Sequence, residues 1–260
     1  MSTEKPTGSS RDVVVPSSSD TDDASPGSDD ASSELDASAT SERALPNDRR
    51  REVLVGDGVE FLRRAADRTS PLPTGAAIFT SLPDHSEIPS LDVPAWKTWF
   101  VDAVSLACRA VADDAVAVFY QTDVKYDGRW IDKAHMVMCG VDAAGSHALF
   151  HKIVCRVQAG ITTFGRPAYA HLIAVSRERR LSPGASTPDV LPELGRMTWA
   201  RAMGGAAVKV AMDFIVSTGA TCVVDPFCGH GTALAAANIA GMNAIGVELS
   251  RRRAAKARAC

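Results

Sequence analysis

Two stretches of the chain bring together residue types that do chemistry. Near the C-terminus, Val223-Val224-Asp225-Pro226-Phe227-Cys228-Gly229-His230-Gly231-Thr232 sets a carboxylate, a proline and a glycine pair directly after an apolar run. Gly229 and Gly231 remove Cβ where the backbone must turn tightly, which leaves bare amides facing a ligand. Glu248 follows nineteen residues beyond Gly229, at the end of the next apolar run, where a carboxylate can accept both hydroxyls of a ribose. The unit reads as a nucleoside cradle; the competing reading is a plain strand-turn-helix with an incidental glycine pair. A P-loop is excluded because no Gly-Lys-Ser/Thr ends the turn, and a nicotinamide site because no third glycine follows Gly-x-Gly.

The second stretch, Ser81-Leu82-Pro83-Asp84-His85, follows the apolar run Ala76-Ala77-Ile78-Phe79-Thr80. It offers a hydroxyl, a carboxylate and backbone carbonyls as hydrogen-bond acceptors, which can orient a donor and help relieve it of a proton. A strand-ending turn is the alternative. Asp57 ends a third apolar run, Glu52-Val53-Leu54-Val55. At the tip of a parallel strand it suits an adenine amino group, and it can also cap the helix that follows.

These groups need strands to carry them. Thr221 to Val224 is the short apolar run of a parallel strand buried on both faces, followed by a helix from Thr232 to Ala240 that Thr232 caps and Gly241 ends. Glu52 to Val55, Ala76 to Thr80 and Ala115 to Tyr120 read as further strands of the same kind. Asp92 to Asp113 has Trp96, Trp99, Phe100, Ala103, Val104, Ala107, Cys108 and Val111 at helical spacing, a core face. Trp130 to Gly140 reads as helix. His147 to Val157 and Ala168 to Arg177 read as an antiparallel hairpin around a polar loop, and Ala206 to Ser217 as a helix before the cradle. Leu181 to Met203, with Trp199 and Arg201, reads as a loop over the ligand face. His151, Lys152, Arg166 and His171 suit phosphate contacts, although such residues beside strands are more often structural. Ser250 to Arg258 reads as a basic helix.

The wording Asp225-Pro226-Phe227-x-Gly-x-Gly-Thr resembles the S-adenosylmethionine loop of the amino-methyltransferases that modify exocyclic nitrogens of adenine or cytosine, with His230 where that family has Ser. The resemblance implies that Asp225 approaches the methionine end of the cofactor, that Glu248 takes the ribose and Asp57 the adenine. Pro226, Phe227, Gly229, Gly231 and Thr232 complete the loop. It also implies that Ser81, Pro83 and Asp84 stand in the catalytic tetrapeptide, which reads Ser/Asp/Asn-Pro-Pro-aromatic in that family. Leu82 and Asp84 depart from it. With Asp84 in place of the aromatic, a base must stack elsewhere, on His85, Trp96 or Trp199, and Asp84 is open to a role as base or amine ligand. The tetrapeptide falls beside the sulfonium methyl if strands Val53 to Val55 and Ile78 to Thr80 are neighbours.

The order of these segments resembles the permuted class of that family over residues 52–260. It implies an α/β, Rossmann-like class I methyltransferase fold, three layers around a seven-stranded mixed sheet with circularly permuted motif order. The family's DNA enzymes insert a target-recognition domain between the two halves, whereas the connection from Arg177 to Gly204 is under thirty residues. RNA, single strands or a partner protein that supplies recognition are therefore favoured over sequence-specific duplex DNA.

Composition sets the frame. Residues 1–50 are crowded with Ser, Asp, Thr and Pro and hold eleven acids against five bases, the signature of a disordered acidic tail. The remaining residues, 51–260, hold 23 bases to 20 acids and make one methyltransferase-sized domain. No apolar run approaches a membrane span and no secretory signal opens the chain, so a soluble, cytoplasmic protein is expected, with nuclear residence open. The six cysteines stand without C-x-x-C pairs and read as reduced core thiols, with no metal site. The sequence thus points to methyl transfer from S-adenosylmethionine to a base amine in RNA or DNA. The alternatives are a small-molecule or protein methyltransferase, and an inactive cofactor-fold subunit that supports a partner.

Overall fold

The structure, a computed structural model, describes residues 50–196 and 203–260. The acidic front segment, Trp199 and Arg201 lie outside the described residues. Strand β1 (Arg51–Val55) leads to helix α1 (Gly58–Ala66), β2 (Ala76–Thr80) to α2 (Val93–Ala110), and β3 (Ala117–Gln121) to a small ribbon of β4 (Val124–Tyr126) and β5 (Arg129–Ile131). Helix α3 (Lys133–Ala143), the hairpin β6 (His147–Cys155) and β7 (Tyr169–Ser176), and the two-residue strand β8 (Val190–Leu191) follow. The chain closes with α4 (Gly205–Ser217), β9 (Cys222–Asp225), α5 (Thr232–Ile239), β10 (Asn243–Glu248) and α6 (Arg251–Ala259).

Among the described residues the main sheet has the order β1-β10-β9-β2-β3-β7-β6-β8. The first five strands are mutually parallel, and β7 runs antiparallel to β3 and β6. These are the seven strands expected from the sequence, joined at the edge by the short β8, parallel to β6. Every residue of β2, β3 and β9 is buried, because both sheet faces are covered, which parallel strands of continuous apolar composition require. One core packs Trp96, Phe100 and Val104 of α2, Leu62 of α1 and Val137 of α3 on one face. The other packs Ala207, Ala211 and Ile215 of α4, Leu234 of α5 and Ala257 of α6. The result is three layers, helix-sheet-helix.

Two expectations require correction. The stretch from Trp130 is not helical at its start: Asp127 and Gly128 take φ of 49° and 66°, the two-residue hairpin turn that Asp-Gly favours. They fold β4 onto β5, with Val124 opposite Ile131. The helix begins only after Asp132, whose side chain caps it by accepting from the His135 amide at 2.8 Å. Second, β1 and β2 are not neighbours. The cradle strands β10 and β9 lie between them, with Val224 opposite both Ile245 and Ile78. The last strands in the chain thus lie inside the sheet, between its first two. No helix among the described residues is long and apolar enough to cross a membrane.

Candidate active site

Five parallel strands end at one edge, where ligands of open α/β sheets gather. A cleft of about 410 Å³ opens there. Of the residues singled out from sequence, Asp57, Ser81, Pro83, Asp84, Asp225, Pro226, Phe227, Gly229, Thr232 and Glu248 all line it. Gly231 does not. It underlies the loop at φ 89°, and a Cβ there would come within 2.9 Å of the Ala257 Cα in α6. The same crowding explains a correction at α5: Gly231, not Thr232, occupies the cap position, with no side chain to offer, and Thr232 is the first helical residue.

Asp225, 2% exposed, ends β9. Its Oδ1 accepts from the Thr80 hydroxyl at 2.7 Å and the Phe227 amide at 3.1 Å. Burial pushes its carboxyl up to about 7; the Glu248 charge adds to this, while the two hydrogen bonds oppose it. Glu248 ends β10 and ties the loop together. Its Oε2 accepts from the Gly229 amide at 3.1 Å, and its Oε1 from the Ser250 amide at 2.8 Å and Arg253 Nε at 3.0 Å.

Asp57 stands one strand away, because β1 pairs with β10 so that Val55 faces Glu248. It caps α1: Oδ1 accepts from the amides of Val59 at 2.7 Å and Glu60 at 3.0 Å. Both bonds fall on Oδ1 rather than Oδ2. Gly58 permits the close approach that follows, since a Cβ there would lie 2.1 Å from the Pro226 carbonyl oxygen. The Asp57 turn and the glycine loop are thus packed directly on one another.

At the end of β2 the tetrapeptide shows why its wording departs from the resembled pattern. Leu82 is core, packed with the α1 and α2 side chains. Asp84 is paired with Lys133, a buried ammonium at the start of α3 that also lies 6.0 Å from the Trp96 ring centroid and 5.9 Å from that of Phe100. Asp84 is further held by the capping box of the 3-10 turn His85–Glu87, where its amide donates to Glu87 Oε2 at 3.0 Å. Two of the expected stacking partners, Trp96 and His85, are engaged elsewhere. Trp96 is fully buried and donates its indole N–H to the Pro83 carbonyl at 3.2 Å. His85 bonds the Leu91 carbonyl at 3.0 Å and meets Tyr126 edge-on. Trp99 lines the cleft, edge-on to Phe227 at 5.7 Å, one helical turn from the buried Trp96.

The remaining wall was not read from sequence. It carries Tyr120, Gln121, Thr122, Lys133, Arg156 and, among the residues weighed earlier, Arg166. Burial raises the Tyr120 hydroxyl to about 12 against the opposing charges of Arg156 and Arg166. Beyond Thr122, Asp123 accepts from the Lys133 amide at 2.8 Å, Trp130 Nε1 at 3.0 Å and His171 Nε2 at 3.2 Å. His171 in turn bonds His151 at 2.9 Å. Asp123, Asp132 and His171 lie close enough together that each could offer a ligand atom to a metal ion, while the three donors to Asp123 tie it to β5, β7 and the start of α3. Lys152 is structural too, donating to the carbonyls of Thr187 at 3.1 Å and Pro188 at 2.9 Å.

No protein-family model matches the chain, and no curated protein does. Solved structures do. TTHA0409 of Thermus thermophilus, a proposed DNA modification methylase, matches with TM-score 0.59 and 19% identity over 81% of this chain and 93% of its own. Its complex with S-adenosyl-L-methionine matches with TM-score 0.59 and 18% identity over 80% and 92%. The PvuII cytosine-N4-specific DNA methyltransferase gives TM-score 0.62 and 14% identity over 80% of this chain and 85% of its own. The M1.HpyAVI complex with S-adenosylmethionine gives 0.54 and 13% over 80% and 98%. The chain is therefore similar in fold, across nearly the whole length of each, to DNA methyltransferases with a Rossmann-like α/β sheet.

Proposed function

We propose that the chain is an S-adenosylmethionine-dependent methyltransferase acting on an exocyclic amino nitrogen of a nucleic-acid base. The observation that carries this reading is the convergence of three carboxylates, Asp57, Glu248 and Asp225, on adjoining strand tips around one glycine turn. They suit an adenine amine, a ribose and a cationic methionine end in that order, and the cleft volume of about 410 Å³ lies in the range of small-molecule sites. That two neighbours of the same fold were crystallised with this cofactor supports the choice of ligand.

When bound, S-adenosylmethionine supplies a methyl group activated by its sulfonium. The chain's own residues do the rest. Asp57 Oδ2 accepts the adenine amine, while Glu248 keeps two of its three donors as loop contacts and exchanges Arg253 for ribose hydroxyls. Asp225 meets positive charge and ionises. Ser81, at the tip of the strand beside β9, and Pro83 and Asp84 beyond it hold the accepting amine in line, and orientation supplies most of the acceleration. Paired with Lys133, Asp84 orients the amine rather than taking its proton, and the proton the nitrogen sheds as it is methylated passes to water at the mouth of the cleft.

Nucleic acid is favoured by the far wall. Arg156 and Arg166 line the same cleft, and two guanidinium groups there repel a cationic cofactor but suit phosphates beside a target base. Residues 51–260 are the methyltransferase domain, in the permuted order of the amino-methyltransferases, without a target-recognition domain in the Arg177–Gly204 connection. Single strands or RNA, or a partner that supplies recognition, fit that arrangement, as does a cytoplasmic setting with reduced thiols. Calorimetric titration tests the cradle: the wild type binds S-adenosylmethionine, Asp57→Ala and Glu248→Ala each lose roughly tenfold or more in affinity, and failure of the wild type to bind contradicts the reading.

A further inference from the structure

Gln121 ends β3 at the cleft. Its side chain is fully buried, 0% exposed, and among the described residues neither Oε1 nor Nε2 has a hydrogen-bond partner. A buried amide with both ends unpaired is costly, and such groups in native proteins are paired by something. The position excludes a backbone ladder role for the side chain: the main chain of Gln121 pairs with His171 of β7, while the segment Ser81–Asp84 leaves β2 alongside, since Thr80 faces Phe119. Gln121 thus ends the strand next to the one that leads into Ser81–Asp84, and both segments line the same cleft.

We propose that Gln121 is the residue that reads the acceptor base. The assignment rests on the methyltransferase reading above and specifies its substrate. A carboxamide presents one acceptor and donors side by side. Adenine and cytosine present the complementary pair on the Watson–Crick edge, an amino donor next to a ring-nitrogen acceptor. Oε1 accepts one amino hydrogen and fixes the plane of the amine, leaving the nitrogen lone pair to face the methyl donor. Nε2 donates to the ring nitrogen and supplies the recognition. In a site closed to water, a base lacking either partner leaves the amide unpaired a second time, which is how buried polar pockets reject analogues. Uracil carries no amine to methylate, and on this edge guanine sets a ring N–H donor beside its amine, so only adenine and cytosine satisfy both the pairing and the chemistry.

The experiment uses the full chain and its Gln121→Met and Gln121→Glu variants, with single-stranded oligonucleotides containing adenine, 1-deazaadenine, cytosine or 3-deazacytosine. The deaza bases keep the amine and lack the ring acceptor. In the wild type, kcat/KM falls at least tenfold from each base to its deaza analogue; in Gln121→Met the two become equal, at a level below one-hundredth of wild type. Gln121→Glu, which cannot donate, is slower on adenine than on 1-deazaadenine. S-adenosylmethionine affinity stays within twofold in both variants, and the melting temperature of Gln121→Met equals or exceeds that of wild type, because an unpaired buried amide has been replaced by an apolar chain of similar size. Undiminished deaza discrimination in Gln121→Met, or a lower melting temperature with methylation intact, overturns the assignment alone. Cofactor binding by the wild type without transfer to any oligonucleotide overturns the nucleic-acid reading and this assignment together.

Discussion

Burial and ligand charge pull the Asp225 proton in opposite directions. Its carboxyl in the folded chain titrates near 7, against an ordinary value of 3.8. Between those values the folded state binds more protons than the unfolded one, so this group's contribution falls as pH rises from about 4 to about 7. Asp225→Asn removes the charge and keeps an acceptor for Thr80. Its melting temperature should match wild type near pH 4 and exceed it near pH 8 in a calorimetric series. A cationic ligand favours the ionised form, so S-adenosylmethionine affinity of the wild type should rise with pH and level off above about 7, while the Asn variant binds weakly with no such step. Asp84 makes a second prediction. Lys133 is 2% exposed and Asp84 32%, so the pair is half in water. Lys133→Met leaves the carboxylate unpaired and should cost about 1–3 kcal/mol in denaturant midpoints, with Asp84→Asn/Lys133→Met recovering part of it. A cost equal in the single and double variants contradicts the pairing. This pair was not legible in the sequence, because the residues stand 49 positions apart and only the packing of α3 on the sheet joins them. Asp57, by contrast, was legible as the cap of α1 from its place between a strand and a helix.

The elements that were easiest to read are those whose pattern has one physical solution. β2, β3 and β9 are unbroken apolar runs because both faces are covered, and α2 is announced by Asp92, which accepts from the Ala95 amide at 2.8 Å. The ribbon β4–β5 was missed because Trp130 and Ile131 extend the apolar spacing of α3 backwards, although Asp127-Gly128 carried the hairpin signal. The capping of α5 was misread for a different reason: Thr232 has the right chemistry, but α6 lies too close for any side chain at the cap, and that closeness is invisible before the fold is known. Gly231→Ala tests it. At φ 89° with Ala257 Cα at 2.9 Å, the added methyl strains the backbone and displaces α6, which should cost about 1–3 kcal/mol and weaken cofactor binding in parallel. Gly165→Ala, at a position with nothing within 4 Å, serves as the control and should change neither.

For the whole molecule, the chain order and the sheet order describe two different paths through one arrangement. The last strands, β9 and β10, lie between β1 and β2, and α6 returns to the start of β1, where the Arg51 guanidinium donates to the carbonyls of Ala257 and Cys260 and to Asn238 at 2.8 Å. Joining Cys260 to Arg50 by a short flexible linker and opening the chain in the Arg177–Gly204 connection should therefore give a protein that begins with the cradle and ends with the hairpin. It should keep a cooperative melt and its cofactor affinity within about threefold; loss of folding would mean that the connection holds the two halves together. The central claim, that this edge of the sheet moves a methyl group to a base amine, is tested most directly by incubating the full chain with methyl-labelled S-adenosylmethionine and single-stranded RNA or DNA, digesting to nucleosides and identifying the labelled product by mass. The account predicts label on the exocyclic nitrogen of adenine or cytosine, absent with Ser81→Ala/Asp84→Ala. Label confined to protein or small molecules, or none in any nucleoside while the cofactor binds, would contradict it.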